Sequence, residues 1–219
     1  MAQIGYNVIE QQGVLCMKKN VAIGLMGGSF DPIHLGHIEI AKQAKDAMKL
    51  EQVWFIPSGR PPHKAHLGAA AAQRLEMTRL AIEELAWASA CDIEVFREGT
   101  IYTVDTLGLL TAQYPETTFY YIIGADTLVD LPNWRSPEKV CSLCEFICIK
   151  RPGIDDATVQ RAMQRMETEY GKRIYLIDVS GPDISSTEIR NALAAGENTQ
   201  AMLPEAVRDY IDRENLYRS

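Results

Sequence analysis

Two histidines, His34 and His37, stand three residues apart in the stretch GGSFDPIHLGH (27–37), behind a glycine pair and an Asp31-Pro32 turn. At that spacing on a helix start, both imidazoles can face the same side. Three chemistries use such a pair: metal ligation, a hydrogen-bonded structural role, or donation to a polyphosphate whose bridging oxygen gains charge during group transfer. The sequence places no third ligand beside the pair, and a structural role explains neither the glycines nor the turn. Donation to phosphate accounts for every element. Gly27 and Gly28 let backbone approach a ligand closely. Gly36 removes a side chain that would block a flat group. The helix start after the turn offers free N–H groups and a positive dipole end to an anion.

A second group lies far along the chain in ISSTEIR (184–190). Ser185 and Glu188 have the spacing of a capping box at a helix start, and Arg190 adds a planar fork of fixed charge. Alone, this is equally well ordinary helix capping with a solvated arginine. Paired with the first loop it becomes a clamp on one triphosphate. For a ring-bearing partner, Trp134 follows an LPN turn and offers a stacking surface, with a core or capping tryptophan as the alternative. The helix start in YTVDT (102–106) offers N–H groups to a carboxylate. Lys64, in the loop PPHK (61–64), is either a closing phosphate contact or a solvated lysine.

The elements that must position these residues alternate regularly. NVAIGLM (20–26) is a near-continuous apolar run, expected for a strand covered on both faces. The loop is predicted to begin after Met26. A helix is predicted over 37–50, with Ile38, Ala41, Ala44 and Met48 at helical spacing. Further strands are predicted at QVWFIP (52–57), CDIEVF (91–96), TFYYIIG (118–124), FICIK (146–150) and RIYLIDV (173–179). Helices are predicted over 69–85, 104–114, 155–170, 186–195 and 204–213, with Gly196 stopping the fourth of these. Strand, crossover helix and next strand imply an α/β fold, a doubly wound and mostly parallel sheet closed by C-terminal helices. Ligands in such sheets sit at the carboxyl ends of the strands, where strand order reverses.

Bulk properties narrow the function further. Of 219 residues, 22 are Lys or Arg and 29 Asp or Glu, a net charge of −7 that argues against nucleic acid as the partner. No apolar run reaches the length of a membrane span. The start of the chain lacks the basic, then apolar, pattern of a signal peptide. Residues 1–17 read as an extension of no assigned role before a single domain over 18–219, and Met17 would itself serve as a start. Five cysteines without a disulfide-framework spacing point to a cytoplasmic protein with reduced thiols. Cys141, Cys144 and Cys148 lack a nearby fourth metal ligand and read as small buried residues.

HxGH on the first helix together with SSTxxR before a late helix resembles the nucleotidyltransferase superfamily, which shares the HxGH idea with the larger class I aminoacyl-tRNA synthetases. Within it, GGSFDPIHLGH is similar to the bacterial nicotinate-nucleotide adenylyltransferases. Eight ordered blocks carry the likeness: PSGRPPHK (57–64), RLEM (74–77), DIE (92–94), YTVDTL (102–107), GAD (124–126), NW (133–134), KRPG (150–153) and ISSTEIR. The resemblance implies a Rossmann-like nucleotidyltransferase fold and transfer of AMP from ATP, with Mg²⁺, to nicotinate mononucleotide. It implies ATP contacts at Gly28, Ser29, Phe30, His34, His37, Asp126, Ser185 and Arg190, of which His34, His37 and Arg190 act in catalysis. It places the acceptor at Thr103, Trp134 and Arg135, with Lys64 and Arg151 as further phosphate contacts, and it leaves room for a homo-oligomer. Two positions depart from the family pattern: Ser29 where threonine is commoner, and Arg135 where an aromatic often follows the tryptophan. Rival readings are the same chemistry on nicotinamide mononucleotide or phosphopantetheine, and a non-catalytic nucleotide sensor.

Overall fold

A computed structural model describes residues 21–59, 67–150, 155–181 and 184–218. The extension 1–17 and the expected phosphate contacts Lys64 and Arg151 lie outside these residues. In chain order the elements are β1 (Val21–Gly28), α1 (Leu35–Met48), β2 (Gln52–Pro57), α2 (Ala71–Ile82), β3 (Ala88–Ala90), α3 (Thr103–Gln113) and β4 (Thr117–Gly124). Then come α4 (Ala125–Asp130), a 3-10 turn (Leu131–Asn133), α5 (Pro137–Leu143), β5 (Glu145–Lys150), α6 (Asp156–Tyr170), β6 (Ile174–Asp178), α7 (Ser186–Ala194) and α8 (Glu205–Arg213).

The strands form one sheet in the order β3-β2-β1-β4-β5-β6, with every neighbouring pair parallel. The expected doubly wound sheet is therefore present, and fully parallel. Parallel strands need crossovers, and these divide the helices between two faces. On one face Ile40, Ala41 and Ala44 of α1, Met77 of α2, Ile189 of α7 and Ile211 of α8 share a core. On the other, Val104 and Leu107 of α3, Leu128 of α4, Val140 of α5 and Met166 of α6 share a second. Chain order reverses between β1 and β4, so a crevice opens beyond their carboxyl ends. The loops after these two strands occupy it.

Several boundaries differ from the sequence expectation. β1 runs two residues past Met26, because Gly27 and Gly28 still pair with Ile56 and Pro57 of β2; the loop starts at Ser29. α1 starts at Leu35 rather than His37, with extended His34 as its N-cap. The third strand was expected over 91–96 but is Ala88–Ala90, paired with Val53 to Phe55. Residues 93–96 form a turn. The alternation of Ile93 and Val95 imitated a strand because both side chains pack inward from that turn, Val95 buried and Ile93 partly so. The helices α4 and α5 were not foreseen, being six and seven residues long, too short for a 3.6-residue period to register. α7 does stop before Gly196, whose φ of +71° closes the turn with Glu197 N–H on the Ala192 carbonyl at 2.8 Å.

Candidate active site

The loop after β1 carries the histidine pair. The backbone N–H of His34 donates to His37 Nδ1 at 3.3 Å, and the two rings stack with centroids 3.6 Å apart. With Nδ1 accepting, a neutral His37 imidazole carries its proton on Nε2. Its ring meets the edge of Phe30 at 5.0 Å. Phe30 itself is buried and tilts against Phe55 at 5.9 Å, so its ring belongs to the core.

The start of α7 forms the facing wall. Ser185 Oγ accepts from Glu188 N–H at 3.1 Å, and Glu188 accepts from Ser185 N–H at 3.0 Å. This is the capping box expected from the spacing. Ser186 Oγ donates to the Pro32 carbonyl at 3.0 Å, and Arg190 Nη1 donates to the Asp31 carbonyl at 2.8 Å. Helix α7 is thereby stapled to the loop that carries the histidines. Between the two walls lies a cavity of about 370 Å³, lined among others by Ser29, His34, His37, Gly68, Ser185 and Arg190. Two helix starts and a fixed guanidinium around one cavity are suited to an anion.

Two buried charges support that cavity from behind. The Asp31 carboxylate accepts from Gly68 N–H at 2.7 Å, Ala69 N–H at 3.0 Å and the Tyr217 hydroxyl at 2.7 Å. Arg74, 1% exposed, donates to the carbonyls of Ser29, Ser58 (2.5 Å), Gly59 (3.3 Å) and Ala69 (3.3 Å). It ties the loops after β1 and β2 to each other. Burial pulls its pKa below the usual arginine value, while Asp31, Tyr217 and Glu94 push the other way.

Across the carboxyl end of β1 is a second, aromatic group. A Cβ on Gly27 would lie 2.5 Å from the Tyr121 hydroxyl, so only glycine admits that ring. Burial drives the Tyr121 phenol well above its ordinary pKa; the charge of Glu94 adds to this, and a hydrogen bond with Thr103 opposes it. Trp134 meets Tyr121 edge to face at 6.1 Å, and the Arg135 guanidinium lies over the Tyr102 ring at 4.6 Å. Beneath them Glu94 accepts from the Thr106 hydroxyl at 2.7 Å, and burial raises its pKa.

The chain matches the cytidylyltransferase-like family model over residues 25–192. It is 42% identical over 195 residues to a probable nicotinate-nucleotide adenylyltransferase of Exiguobacterium sibiricum, covering 89% of this chain and 98% of that one. A second, from Desulfitobacterium hafniense, is 40% identical over 197 residues, covering 90% and 95%. The solved nicotinic acid mononucleotide adenylyltransferase of Plasmodium falciparum complexed with NaAD superposes with a TM-score of 0.73 at 25% identity, covering 90% and 97%. The chain belongs to the nicotinate-nucleotide adenylyltransferase family.

Of the residues singled out in advance, this member of the adenylyltransferase family gathers Ser29, His34, His37, Ser185 and Arg190 around one cavity. Gly28 ends β1 beside them. Asp126 stands apart from that lining, exposed in the first turn of α4. Thr103, Trp134 and Arg135 come together around Tyr102 and Tyr121, on the other side of β1. The three suspected thiols Cys141, Cys144 and Cys148 are all buried, and the described residues hold no group of three or more His, Cys, Asp or Glu side chains placed for a metal. Sequence reasoning missed Arg74, Tyr121 and Tyr217, and read Asp31 only as a turn residue. One signal was available: Arg74 and Thr78 lie four apart on α2, beside the apolar Leu75 and Met77, and both are buried. A charged residue among buried helix positions needs a partner inside the protein.

Proposed function

We propose that this protein transfers the adenylyl group of MgATP to nicotinate mononucleotide, giving nicotinate adenine dinucleotide and pyrophosphate. The observation that carries the reading is the cavity in which the α1 and α7 starts, His37 and Arg190 converge. The triphosphate binds there. A phosphate oxygen of the acceptor attacks the α-phosphorus in line, the new O–P bond forms, and the bond to the β-phosphate oxygen breaks. The electron pair leaves with pyrophosphate. No covalent enzyme intermediate is needed, and the acceptor phosphate is already ionised near neutral pH.

The protein's part is positioning and charge. His37 and His34 donate to the phosphates as charge shifts onto the bridging oxygen, and Arg190 and the N–H groups of α7 hold the outer phosphates. Ser29 keeps the hydroxyl that a threonine would supply there. Magnesium enters as part of MgATP, where it neutralises phosphate charge. Both Asp31 oxygens already accept protein donors, which suits an ion held mainly by phosphate oxygens and water. The acceptor ring stacks beside Trp134, and its carboxylate takes N–H groups at the α3 start and the 134–135 turn, with Arg135 adding charge. Lys64 and Arg151 supply further phosphate contacts in this reading, and Asp126 lies by the nucleotide. The free thiols of Cys91, Cys141, Cys144 and Cys148 suit a reducing cytoplasm, and no helix of the described residues is long and apolar enough to cross a membrane.

The test is pyrophosphate release from MgATP with nicotinate mononucleotide, nicotinamide mononucleotide and phosphopantetheine in parallel. Release with the first, preferred over the second by at least about 10²-fold in kcat/KM, is expected. An amide leaves donors unpaired at roughly 1–3 kcal/mol each. Equal efficiencies would remove the ring-pocket assignment, and no release with any acceptor would leave a nucleotide sensor.

A further inference from the structure

Asp31 lines the cavity but is only 3% exposed. Its backbone carbonyl accepts from Arg190 Nη1 at 2.8 Å, and its carboxylate is held by three donors. Two of these are backbone N–H groups from the segment leading into α2. The third comes from the other end of the molecule: the Tyr217 hydroxyl, 2.7 Å from Oδ1.

The segment after α8 is built to deliver that hydroxyl. Asn215 turns the chain with φ of +51°, Leu216 N–H closes on the Ile211 carbonyl at 3.0 Å, and the Leu216 side chain is buried. Tyr217 then takes φ of +60°, and Phe30, next to Asp31, takes +47°. Residues with a Cβ keep such backbone angles only where their surroundings over-determine them, and such places cluster at functional sites. The Tyr217 ring lies against Gly68, where an added Cβ would meet ring carbons at 2.7 and 2.8 Å. Packing therefore fixes the ring, and the hydroxyl is left with one task. Burial and the neighbouring carboxylate push the phenol far above its ordinary pKa, so it donates to Asp31 at any physiological pH.

We propose that Tyr217 is a positioning residue of the nucleotide site: its hydroxyl locks the Asp31 carboxylate, which in turn fixes the Asp31 carbonyl that orients Arg190. This rests on adenylyl transfer from ATP as the activity. Tyr217 stands behind the cavity lining rather than in it. It acts on the nucleotide side alone, since Asp31 and Arg190 line the phosphate cavity, across β1 from the ring pocket of Thr103, Trp134 and Arg135.

The test is Tyr217→Phe, which keeps the ring on Gly68 and removes only the hydroxyl. The melting temperature should fall by no more than about 5 °C, as for loss of one hydrogen bond in a chain of this size. Affinity for a non-hydrolysable ATP analogue and kcat/KM for ATP should each fall about tenfold, with KM for the acceptor within about twofold of wild type. Because Tyr217 works through Arg190, Tyr217→Phe added to Arg190→Ala should cost nothing further. Analogue affinity equal to wild type, independent multiplying effects in the double variant, a change in acceptor KM alone, or loss of the fold would each overturn the proposal. If wild-type protein fails to bind the analogue at all, the adenylyl-transfer reading itself falls, which is a separate result.

Discussion

On the α1–α7 side of the site, Ser186 and Arg190 direct polar atoms at backbone carbonyls of the first loop, and Asp31 gathers backbone N–H groups. On the α3 side, Trp134 meets Tyr121 edge to face and Arg135 covers Tyr102. One half is a hydrogen-bonded frame and the other an aromatic stack. Phosphates are recognised by fixed donors and charge, which tolerate little displacement. A flat ring is recognised by surface, with a few donors to choose its substituent. Changes on the phosphate side should therefore strike the rate, and changes on the ring side should strike acceptor binding.

The largest effect should come from His37→Ala. Losing one preorganised donor to developing charge costs roughly 3–4 kcal/mol, about 10²–10³ in kcat, with little change in melting temperature because His37 is half-buried at a helix start. Steady-state kinetics on both substrates decides it, and a kcat within about threefold of wild type would remove His37 from the phosphate side. Arg190→Lys comes next. A point charge cannot reproduce a fork that holds Asp31 and Thr187 at once, and the expected loss of about 10- to 10²-fold should appear in ATP kinetics. If acceptor KM changed instead, Arg190 would belong to the other half.

Trp134→Ala sharpens the contrast from the ring side. Removing a stacking surface worth about 1–3 kcal/mol should raise acceptor KM by roughly 10- to 10²-fold while kcat at saturating acceptor stays within a few-fold. A matching fall in kcat would mean the ring also aligns the attacking phosphate. The smallest effect is on stability. Burial raises the Glu94 pKa above its ordinary value of 4.5, so the folded protein holds that proton at a pH where the unfolded chain has lost it. Stability from this group is thus complete below about 4.5 and declines as pH rises through the elevated folded value. Glu94→Gln should flatten that decline in denaturant titrations across the same window, and an unchanged slope would place the raised pKa elsewhere.

The same contrast explains what could be read from sequence. The hydrogen-bonded half comes from two contiguous stretches, 27–37 and 184–190, in which glycines, a turn, histidines and a capping box sit within a few residues of one another. Their purpose is local and so is their signal. The aromatic half joins 102–103, 121 and 134–135, brought from the start of α3, from β4 and from the turn after α4; Thr103 and Trp134 stood out by their type and setting, but Tyr121 looked like any strand residue. Arg74 and Tyr217 were hidden for the same reason, since their partners lie in the loops after β1 and β2 and in the segment before α2. Long apolar strands and α6 were readable because their periods run for several turns or pairs. The three-residue β3 was misplaced because a turn with two inward apolar residues imitates a strand.

The proposed adenylyl transfer makes the α-phosphate of ATP part of a dinucleotide. Its most direct test is incubation with α-phosphate-labelled MgATP and nicotinate mononucleotide, followed by mass analysis of the products. Label is expected in nicotinate adenine dinucleotide with one equivalent of unlabelled pyrophosphate, both appearing about 10²–10³ times more slowly in His37→Ala. Label remaining in ATP or AMP with no dinucleotide formed, or transfer of the terminal phosphate instead, would contradict it.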